Sequence, residues 1–188
     1  NMANIDAPFG LNPVEKIGSG PSGKMMNYRI ASGETNSIFQ GDAVMPDSGF
    51  IQQATNNADL LGVFWGCKYD DPTTNKPTFK NQYASVATNA DAFVYDDPYQ
   101  VFEIQGDSGT ASLDTQVMQS ADLANTTALA GSTTTGVSKM ELDSSDLGAP
   151  MQQMIVQGFS GNPERNQIDA DGHAVYKVLI SEHVYSNL

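Results

Sequence analysis

A potential nucleophile stands at Ser108, within the tetrapeptide Gly106-Asp107-Ser108-Gly109. This tetrapeptide matches the segment around the nucleophilic serine of trypsin-like proteases, in which a histidine must act as general base. The chain has only His173 and His183, and both follow the serine, whereas the histidine of that class precedes it. The segment is therefore interpreted as a turn between strands. No catalytic residue is assigned, and the sequence predicts a protein that is not an enzyme.

A glycine-rich segment, residues 18–24, matches the G-x-x-x-x-G-K pattern of loops that bind phosphate groups. That mechanism needs a buried strand before the loop, a helix after it, and Ser or Thr after the lysine to bind magnesium. Met25 follows Lys24 here, and neither flanking segment has the required pattern. The sequence therefore predicts no bound nucleotide and no other cofactor.

Four carboxylates stand in an internal repeat, because Tyr69-Asp70-Asp71-Pro72 recurs as Tyr95-Asp96-Asp97-Pro98. Asp side chains accept hydrogen bonds from backbone N–H groups in turns, and proline ends strand pairing. Each copy is therefore interpreted as a turn that ends a strand. The alternative, a cation held by all four carboxylates, requires the two turns to meet in space. Since no Cys, His and carboxylate cluster has zinc-ligand spacing, no metal ligand is assigned.

The segments that must position these residues are mainly β-strands. From residue 28 onward, short runs rich in β-branched and aromatic residues alternate with turn formers, as in residues 60–69 and 100–105. Residues 113–129 carry apolar side chains at helical spacing and are predicted as the one helix. The predicted fold is mainly β: an antiparallel β-sandwich or barrel, jelly-roll-like, with one short helix.

Residues 1–27 are predicted as an extended N-terminal arm, which precedes a single β-rich domain over residues 28–188. Pro8 and Pro13 forbid regular helix in this segment. Apolar residues such as Phe9 lie outside any periodic element, so the arm is expected either to pack along its own domain or to lie on a partner's surface.

The chain of 188 residues carries 22 acidic and 9 basic side chains, a net charge of −13. This balance argues against nucleic acid and anionic membranes as partners, since both are bound through clustered Lys and Arg. The longest apolar run, residues 60–67, is far shorter than a membrane span of about 20 residues. The single Cys67 permits no intrachain disulfide and is predicted to be a buried small apolar residue.

Several stretches together resemble a known family: residues 7–11 (Ala-Pro-Phe-Gly-Leu), 39–42 (Phe-Gln-Gly-Asp) with a following Val44, 61–67 (Leu-Gly-Val-Phe-Trp-Gly-Cys), 93–98 (Phe-Val-Tyr-Asp-Asp-Pro) followed by 101–105 (Val-Phe-Glu-Ile-Gln), and a C-terminal pair of strands, 151–158 and 174–184, around a polar loop. They resemble the capsid decoration, or cement, proteins of tailed bacteriophages. The resemblance implies a structural virion protein on the outer surface of an icosahedral capsid. Such a protein stabilises the shell by bridging neighbouring major capsid subunits.

The partners implied by the resemblance are the major capsid protein and further copies of this chain, with a trimer expected ahead of a dimer. The proposed mechanism is multivalency, because an oligomer that touches several subunits dissociates only when all contacts break together. The intersubunit contacts are expected in residues 113–129 or in the final strand.

Two sets of residues are predicted to make these contacts. The capsid-binding arm is expected to use apolar residues of the N-terminal segment: Pro8, Phe9, Leu11 and Pro13. A further interface is expected to use aromatic residues of the β domain: Trp65, Tyr69 and Tyr95. Trp65 alternates with Val63 and Cys67, so a place in the core is the alternative for it.

Two other functions remain open at this point. The first is a carbohydrate- or host-surface-binding β module of a phage tail or fibre, in which the two Tyr-Asp-Asp-Pro turns supply aromatic and acidic groups. The second is a hydrolase that uses Asp107 and Ser108 with a distant histidine.

Overall fold

Nearly every regular element of the chain is a β-strand. The computed structural model describes residues 4–84, 90–108, 113–124, 126, 131–148, 151–161, 166 and 172–186. The strands of these parts are β1 (Asn12–Lys16), β2 (Met26–Ile30), β3 (Ile38–Phe39), β4 (Ala43–Asp47), β5 (Phe50–Gln53), β6 (Gly62–Asp70), β7 (Pro77–Lys80), β8 (Gln82–Tyr83), β9 (Ala90–Tyr95), β10 (Gln100–Gln105), β11 (Ser120–Ala121), β12 (Leu123–Ala124), β13 (Glu141–Leu142), β14 (Met154–Phe159) and β15 (Val175–Ile180). The predicted mainly β class, with predominantly antiparallel pairing, is therefore confirmed.

Five strands close into a small barrel in the order β4-β5-β2-β9-β6, because β4 also pairs with the first residues of β6. The nine-residue β6 is long enough to pair with β9 along one edge and with β4 and then β7 along the other. Apolar side chains fill the interior, among them Phe64, Val94 and Tyr83. Closure leaves few unpaired strand edges within the barrel.

The remaining long strands form an open antiparallel sheet in the order β1-β10-β15-β14-β11. One face of this sheet packs on the outside of the barrel. The core between them combines Phe102, Val156 and Val178 of the sheet with Leu60 and Val63 of the barrel side. Because β15 pairs with β10 on one edge and β14 on the other, the final strand has no free edge for pairing with another chain.

Part of the predicted N-terminal arm is a strand of this open sheet. β1 pairs with β10 at the edge of the sheet, and the Leu11 N–H donates to the Gly41 carbonyl oxygen at 2.8 Å. The Leu11 side chain is 0% exposed and lies in the core between sheet and barrel. The assignment of Leu11 as a docking contact is therefore wrong for this conformation, because a core side chain offers no surface to a partner.

The helix predicted over residues 113–129 is also wrong beyond its first turn. Helix α1 spans only Leu113–Gln116, and Ser120–Ala121 and Leu123–Ala124 are short strands. Tertiary pairing overrides the helical spacing of apolar residues here, since β11 extends the open sheet beside β14. Residues 125 and 127–130 of that prediction lie outside the described residues. In the described part of the chain, no helix has the length and apolar character needed to cross a bilayer.

Candidate binding surface

The chain's only tryptophan stands at an irregularity of the barrel. Phe64 pairs with Val94 and Gly66 with Phe93, so Trp65 is the extra residue of a β-bulge in β6. A bulge redirects a side chain out of the regular alternation of a strand. Trp65 is therefore half-buried and packs against the core between sheet and barrel, and its ring meets the edge of Tyr95 at a centroid distance of 5.4 Å.

A cavity of about 260 Å³ opens on one side of Trp65. Its other walls come from three separate parts of the chain: Phe9 and Asn12 of the N-terminal segment, Gln40, and Val137. The predicted arm thus contributes one aromatic side chain to a cavity that Trp65 of the barrel strand β6 also lines. Phe9 is half-buried in this position.

The backbone of Gln40 and Gly41 holds the three parts together. Gly41 N–H donates to the Phe64 carbonyl at 2.8 Å, next to Trp65, and the Gly41 carbonyl accepts from Leu11. Gln40 N–H donates to the Gly136 carbonyl, and the Gln40 carbonyl accepts from Ser138 N–H, both at 2.9 Å. These bonds fix the N-terminal segment, β6 and residues 136–138 to one short peptide.

Glycine is required at two points of this junction. Gly10 has φ +72°, and a Cβ there would lie 2.5 Å from Ser138 Cβ and 2.6 Å from the Gly41 oxygen. Gly41 has φ +93°, and its Cβ would lie 3.0 Å from the Phe9 oxygen. Side chains at either position would push the N-terminal segment away from the barrel, so the cavity depends on both glycines.

A second cavity of about 330 Å³ is also lined by Trp65 and includes Phe79 and Lys80 of the edge strand β7. Phe79 of β7 is 68% exposed and stacks on Phe93 with ring centroids 6.4 Å apart. Lys68 Nζ lies 5.7 Å from the centre of the Phe79 ring, within the range of a cation–π contact. Lys80 also lines this cavity.

We call the combined area the Trp65 surface. It consists of the side chains that line the two cavities around Trp65: Phe9, Asn12, Gln40, Trp65, Phe79, Lys80, Asn81, Phe93 and Val137. Its floor is aromatic, its polar groups are mainly neutral amides, and its rim on the β7 side carries lysine ammonium groups. These are groups that bind another molecule through apolar burial and hydrogen bonds.

Burial keeps the one thiol at this surface in its protonated form. Cys67 lines the second cavity, and burial raises the pKa of its thiol to about 12 although Lys80 favours the thiolate. Since the thiolate is the nucleophilic form, Cys67 stays a protonated thiol at neutral pH. The prediction that Cys67 is buried is confirmed.

A buried carboxyl group follows the Gln40–Gly41 peptide. Asp42 is fully buried, and its Oδ2 accepts hydrogen bonds from Phe39 N–H and Gln53 Nε2, both at 2.8 Å. Burial raises the pKa of Asp42 to about 7, although Ser138, Phe39 and Gln53 all favour the charged form. The effect of burial on the pKa is larger than that of the hydrogen bonds, because a carboxylate loses its hydration in this interior.

The residues predicted as contacts have different positions. Pro8, Phe9, Pro13 and Trp65 are half-buried, and Phe9 and Trp65 both line the first cavity. Tyr69 and Tyr95 are buried in the cores, like Leu11, so neither of these tyrosines offers a free ring.

Several residues of the surface were missed by sequence reasoning. Phe79 stands in a short, polar, proline-containing stretch, and Asn81 stands between the short strands β7 and β8. Their approach to Trp65 depends on closure of the barrel, which no local pattern reports. The only sequence signal for this surface was Phe79, an apolar residue between the polar Thr78 and the charged Lys80.

The two Tyr-Asp-Asp-Pro segments are turns, as predicted. Asp71 Oδ1 accepts from the N–H groups of Thr73 and Thr74, and Asp97 Oδ1 accepts from Tyr99 N–H. The two turns lie at opposite ends of the barrel. Tyr95 pairs with Val63, whereas Asp70 is seven residues further along β6, about 23 Å at the usual rise of a strand. A cation shared by all four carboxylates is therefore excluded.

The two sequence motifs of enzymes lack their expected surroundings. The hydrogen bonds of Ser108 in the described residues are with Asp107 and Ser144 and not with a histidine. His183 is fully buried elsewhere and accepts Tyr185 N–H at its Nδ1. The glycine-rich residues 18–24 lead into strand β2 instead of a helix. Gly109 lies outside the described residues.

One group of side chains in the described residues has the composition and spacing of metal ligands. Asp6, Glu141 and His173 each offer one ligand atom, and these atoms lie within 4.8 Å of one another. The three residues are 135 and 32 positions apart in the chain, so the sequence contains no spacing signal for them.

Four of the stretches behind the resemblance contribute side chains to the Trp65 surface, whereas residues 101–105 and the two C-terminal segments form β10, β14 and β15 of the open sheet. Residues 7–11 supply Phe9, residues 39–42 supply Gln40, residues 61–67 supply Trp65, and residues 93–98 supply Phe93. Neither a protein-family model, nor a curated protein, nor a solved structure matches the chain.

Proposed function

We propose that this protein is a structural virion protein that binds the outer surface of an icosahedral phage capsid and bridges neighbouring major capsid subunits. The observation that carries the proposal is that four of the stretches that resemble cement proteins, residues 7–11, 39–42, 61–67 and 93–98, contribute side chains to the Trp65 surface. Their common location supports a shared role in contacting a partner.

The chemistry of the Trp65 surface favours a protein as that partner. Interfaces are enriched in aromatic residues, and a few buried aromatic anchors carry most of the binding energy. Trp65 and Phe79 provide such anchors, with one half-buried and one 68% exposed. Lys68 and Lys80 border the same surface in a chain of net charge −13. A capsid segment with an apolar side chain beside a carboxylate has the complementary chemistry.

Bridging requires more than one contact. An oligomer that engages several capsid subunits gains from a high effective concentration, which a single contact lacks. We propose that the protein acts as a homo-oligomer, with a trimer ahead of a dimer. Met118, which is 82% exposed beside the short edge strand β11, is a suitable apolar contact for self-association.

A carbohydrate- or host-surface-binding module is the second candidate. The observation that favours it is the presence of Asn12, Gln40 and Asn81 around Trp65, because side-chain amides next to an aromatic face suit sugar hydroxyl groups. The predicted contribution of Tyr69 and Tyr95 to such a site is wrong, since both rings are buried.

The test uses capsid shells that lack this protein, sedimented with purified full-length protein. Wild-type protein is expected to co-sediment saturably, and Phe79→Ala is expected to weaken the apparent affinity about tenfold, equivalent to about 1.4 kcal/mol. Tyr99→Ala is the matched control, because Tyr99 is 60% exposed and lines neither cavity. Equal binding of both variants would refute the role of the Trp65 surface.

The same protein is applied to a glycan array and to size-exclusion chromatography with light scattering. Shell binding without glycan binding, by an oligomer, supports the proposal. Glycan binding that depends on Phe79, together with no shell binding, would replace it by the second candidate. A monomer that binds neither would overturn both.

A further inference from the structure

Three distant parts of the chain bring metal-ligating side chains together at one end of the open sheet. Asp6 belongs to the N-terminal segment, Glu141 to β13, and His173 to the residues just before β15. Asp6 is exposed, His173 is half-buried and Glu141 is buried. His173 Nδ1 lies 3.9 Å from Asp6 Oδ1, is shielded from solvent, and has no hydrogen bond with a described residue.

We propose that Asp6, Glu141 and His173 bind one divalent transition-metal ion. One imidazole nitrogen and two carboxylate oxygens form a donor set that suits Zn²⁺ and, less tightly, Mn²⁺. The imidazole disfavours Mg²⁺ and Ca²⁺, which prefer oxygen ligands alone. Two carboxylates also balance the charge of a divalent ion. The fourth position of a tetrahedral site remains for water.

The distances require only a small adjustment. Ligand atoms at 2.0–2.1 Å from a tetrahedral metal lie about 3.4 Å apart, compared with 3.9 Å between His173 Nδ1 and Asp6 Oδ1 and at most 4.8 Å within the group. Asp6 is the residue that can move, because its side chain is 65% exposed. Glu141 and His173 belong to the packed part of the protein and form the fixed side of the site.

A buried amide holds the backbone around the site in place. Gln105 Nε2 donates to the carbonyl oxygens of Ile5 at 2.9 Å and His173 at 3.0 Å, and Gln105 Oε1 accepts from Ala7 N–H at 2.9 Å. The N–H and C=O groups on either side of Asp6 are therefore tied to the residue that carries the imidazole. Asn4 Nδ2 adds a hydrogen bond to the Gly172 carbonyl. Such support from surrounding hydrogen bonds orients ligands before the metal arrives.

A bound ion would join the N-terminal segment to the sheet three residues before Phe9. The ion would restrict residues 4–7, which are also attached through hydrogen bonds of Gln105 and Asn4. The proposal does not depend on shell binding, and its test uses the isolated protein.

The experiment titrates untagged, chelator-treated full-length protein with Zn²⁺, Mn²⁺ and Mg²⁺ by isothermal calorimetry. We expect saturable binding of one Zn²⁺ per chain, weaker binding of Mn²⁺, and no saturable binding of Mg²⁺. Asp6→Asn and His173→Asn are each expected to weaken Zn²⁺ affinity at least tenfold. Asn suits position 173, because His173 has φ +54° and Asn tolerates that region well.

Asp47→Asn is the matched control, since Asp47 is an exposed carboxylate outside the group. Its Zn²⁺ affinity is expected to equal that of the wild type. Co²⁺ provides a spectroscopic check, with visible absorption bands of a low-coordinate site in wild type and their loss in His173→Asn. Absence of saturable Zn²⁺ binding would overturn the proposal. Binding that survives either Asp6→Asn or His173→Asn unchanged would overturn the three-residue site.

Discussion

The burial of Leu11 predicts that the N-terminal segment is an integral part of the fold and not a detachable arm. The variant Leu11→Ala tests this prediction. Leu11 is 0% exposed in the core between the open sheet and the barrel. Its N–H is bonded to the Gly41 oxygen at 2.8 Å. The structure therefore predicts that Leu11→Ala lowers the free energy of unfolding.

The size of the effect follows from burial and from the rigidity of the site. Removal of three carbon atoms costs about 2.4 kcal/mol at about 0.8 kcal/mol per buried methylene. A cavity that cannot collapse adds to this, and core Leu→Ala replacements span about 2–5 kcal/mol. Because the neighbouring backbone is held by the Gly41 hydrogen bond, we expect about 3–4 kcal/mol. For a chain of this length, that corresponds to a fall in Tm of roughly 10 °C.

The assay is urea unfolding followed by tryptophan fluorescence, with thermal unfolding as a second measurement. Ile17→Ala is the matched control, because Ile17 belongs to the same N-terminal segment and is 44% exposed. It is expected to change stability by less than about 1 kcal/mol. A shift in the urea midpoint at constant slope indicates lost stability without a change in cooperativity.

One result would refute the reasoning. If Leu11→Ala leaves the unfolding free energy within about 0.5 kcal/mol of the wild type but abolishes binding to shells, Leu11 is a docking residue in solution. The N-terminal segment would then leave the sheet before it binds.

Two further predictions concern the junction beneath the Trp65 surface. Burial raises the pKa of Asp42 to about 7, so the native state keeps its proton between about pH 4 and 7 while the unfolded state loses it. The free energy of unfolding of the wild type, relative to that of Asp42→Asn, should therefore fall by up to about 4 kcal/mol as pH rises through that window. Urea unfolding at a series of pH values measures this difference. A difference that does not change with pH would contradict a protonated, buried Asp42. Gly10→Ala should cost about 2–4 kcal/mol, because its Cβ would meet the Gly41 oxygen and Ser138. Gly33→Ala is the control, because Gly33 also has a positive φ (+107°) but a Cβ there would have nothing within 4 Å; this variant therefore measures the backbone strain alone. An equal loss of Tm in both variants would show that the contacts of the Gly10 Cβ with Ser138 and Gly41 are unimportant.

Local sequence patterns predicted the fold class and several strands. Residues 100–105 were expected as a strand and form β10 with the same limits, since dense β-branched and aromatic residues report a half-buried pleated surface. The Asp-Asp-Pro turns were also predictable, because an Asp side chain bonds to N–H groups two or three positions away. These properties involve neighbours in the chain.

Non-local features were predicted poorly. The spacing of apolar residues in 113–129 suggested a helix, but strand pairing with β14 determines the structure of Ser120–Ala121. Leu11 resembled an exposed anchor, because an apolar residue between prolines carries no periodic signal of burial. Whether it is buried depends on β10 and on the Gly41 peptide, which lie far away in the sequence.

The amino-acid sequence by itself determined an acidic, β-rich chain with turns at defined positions, since charge, propensity and turn formation are properties of single residues and close neighbours. Only the tertiary structure decided that Phe9, Gln40, Trp65 and Phe93 share one surface, and that Asp6, Glu141 and His173 share another. Both groups arise from barrel closure and from pairing of β1 with β10, which join residues separated by tens to more than a hundred positions. No local pattern encodes such distances, because the free energy that selects them comes from burial of the whole core.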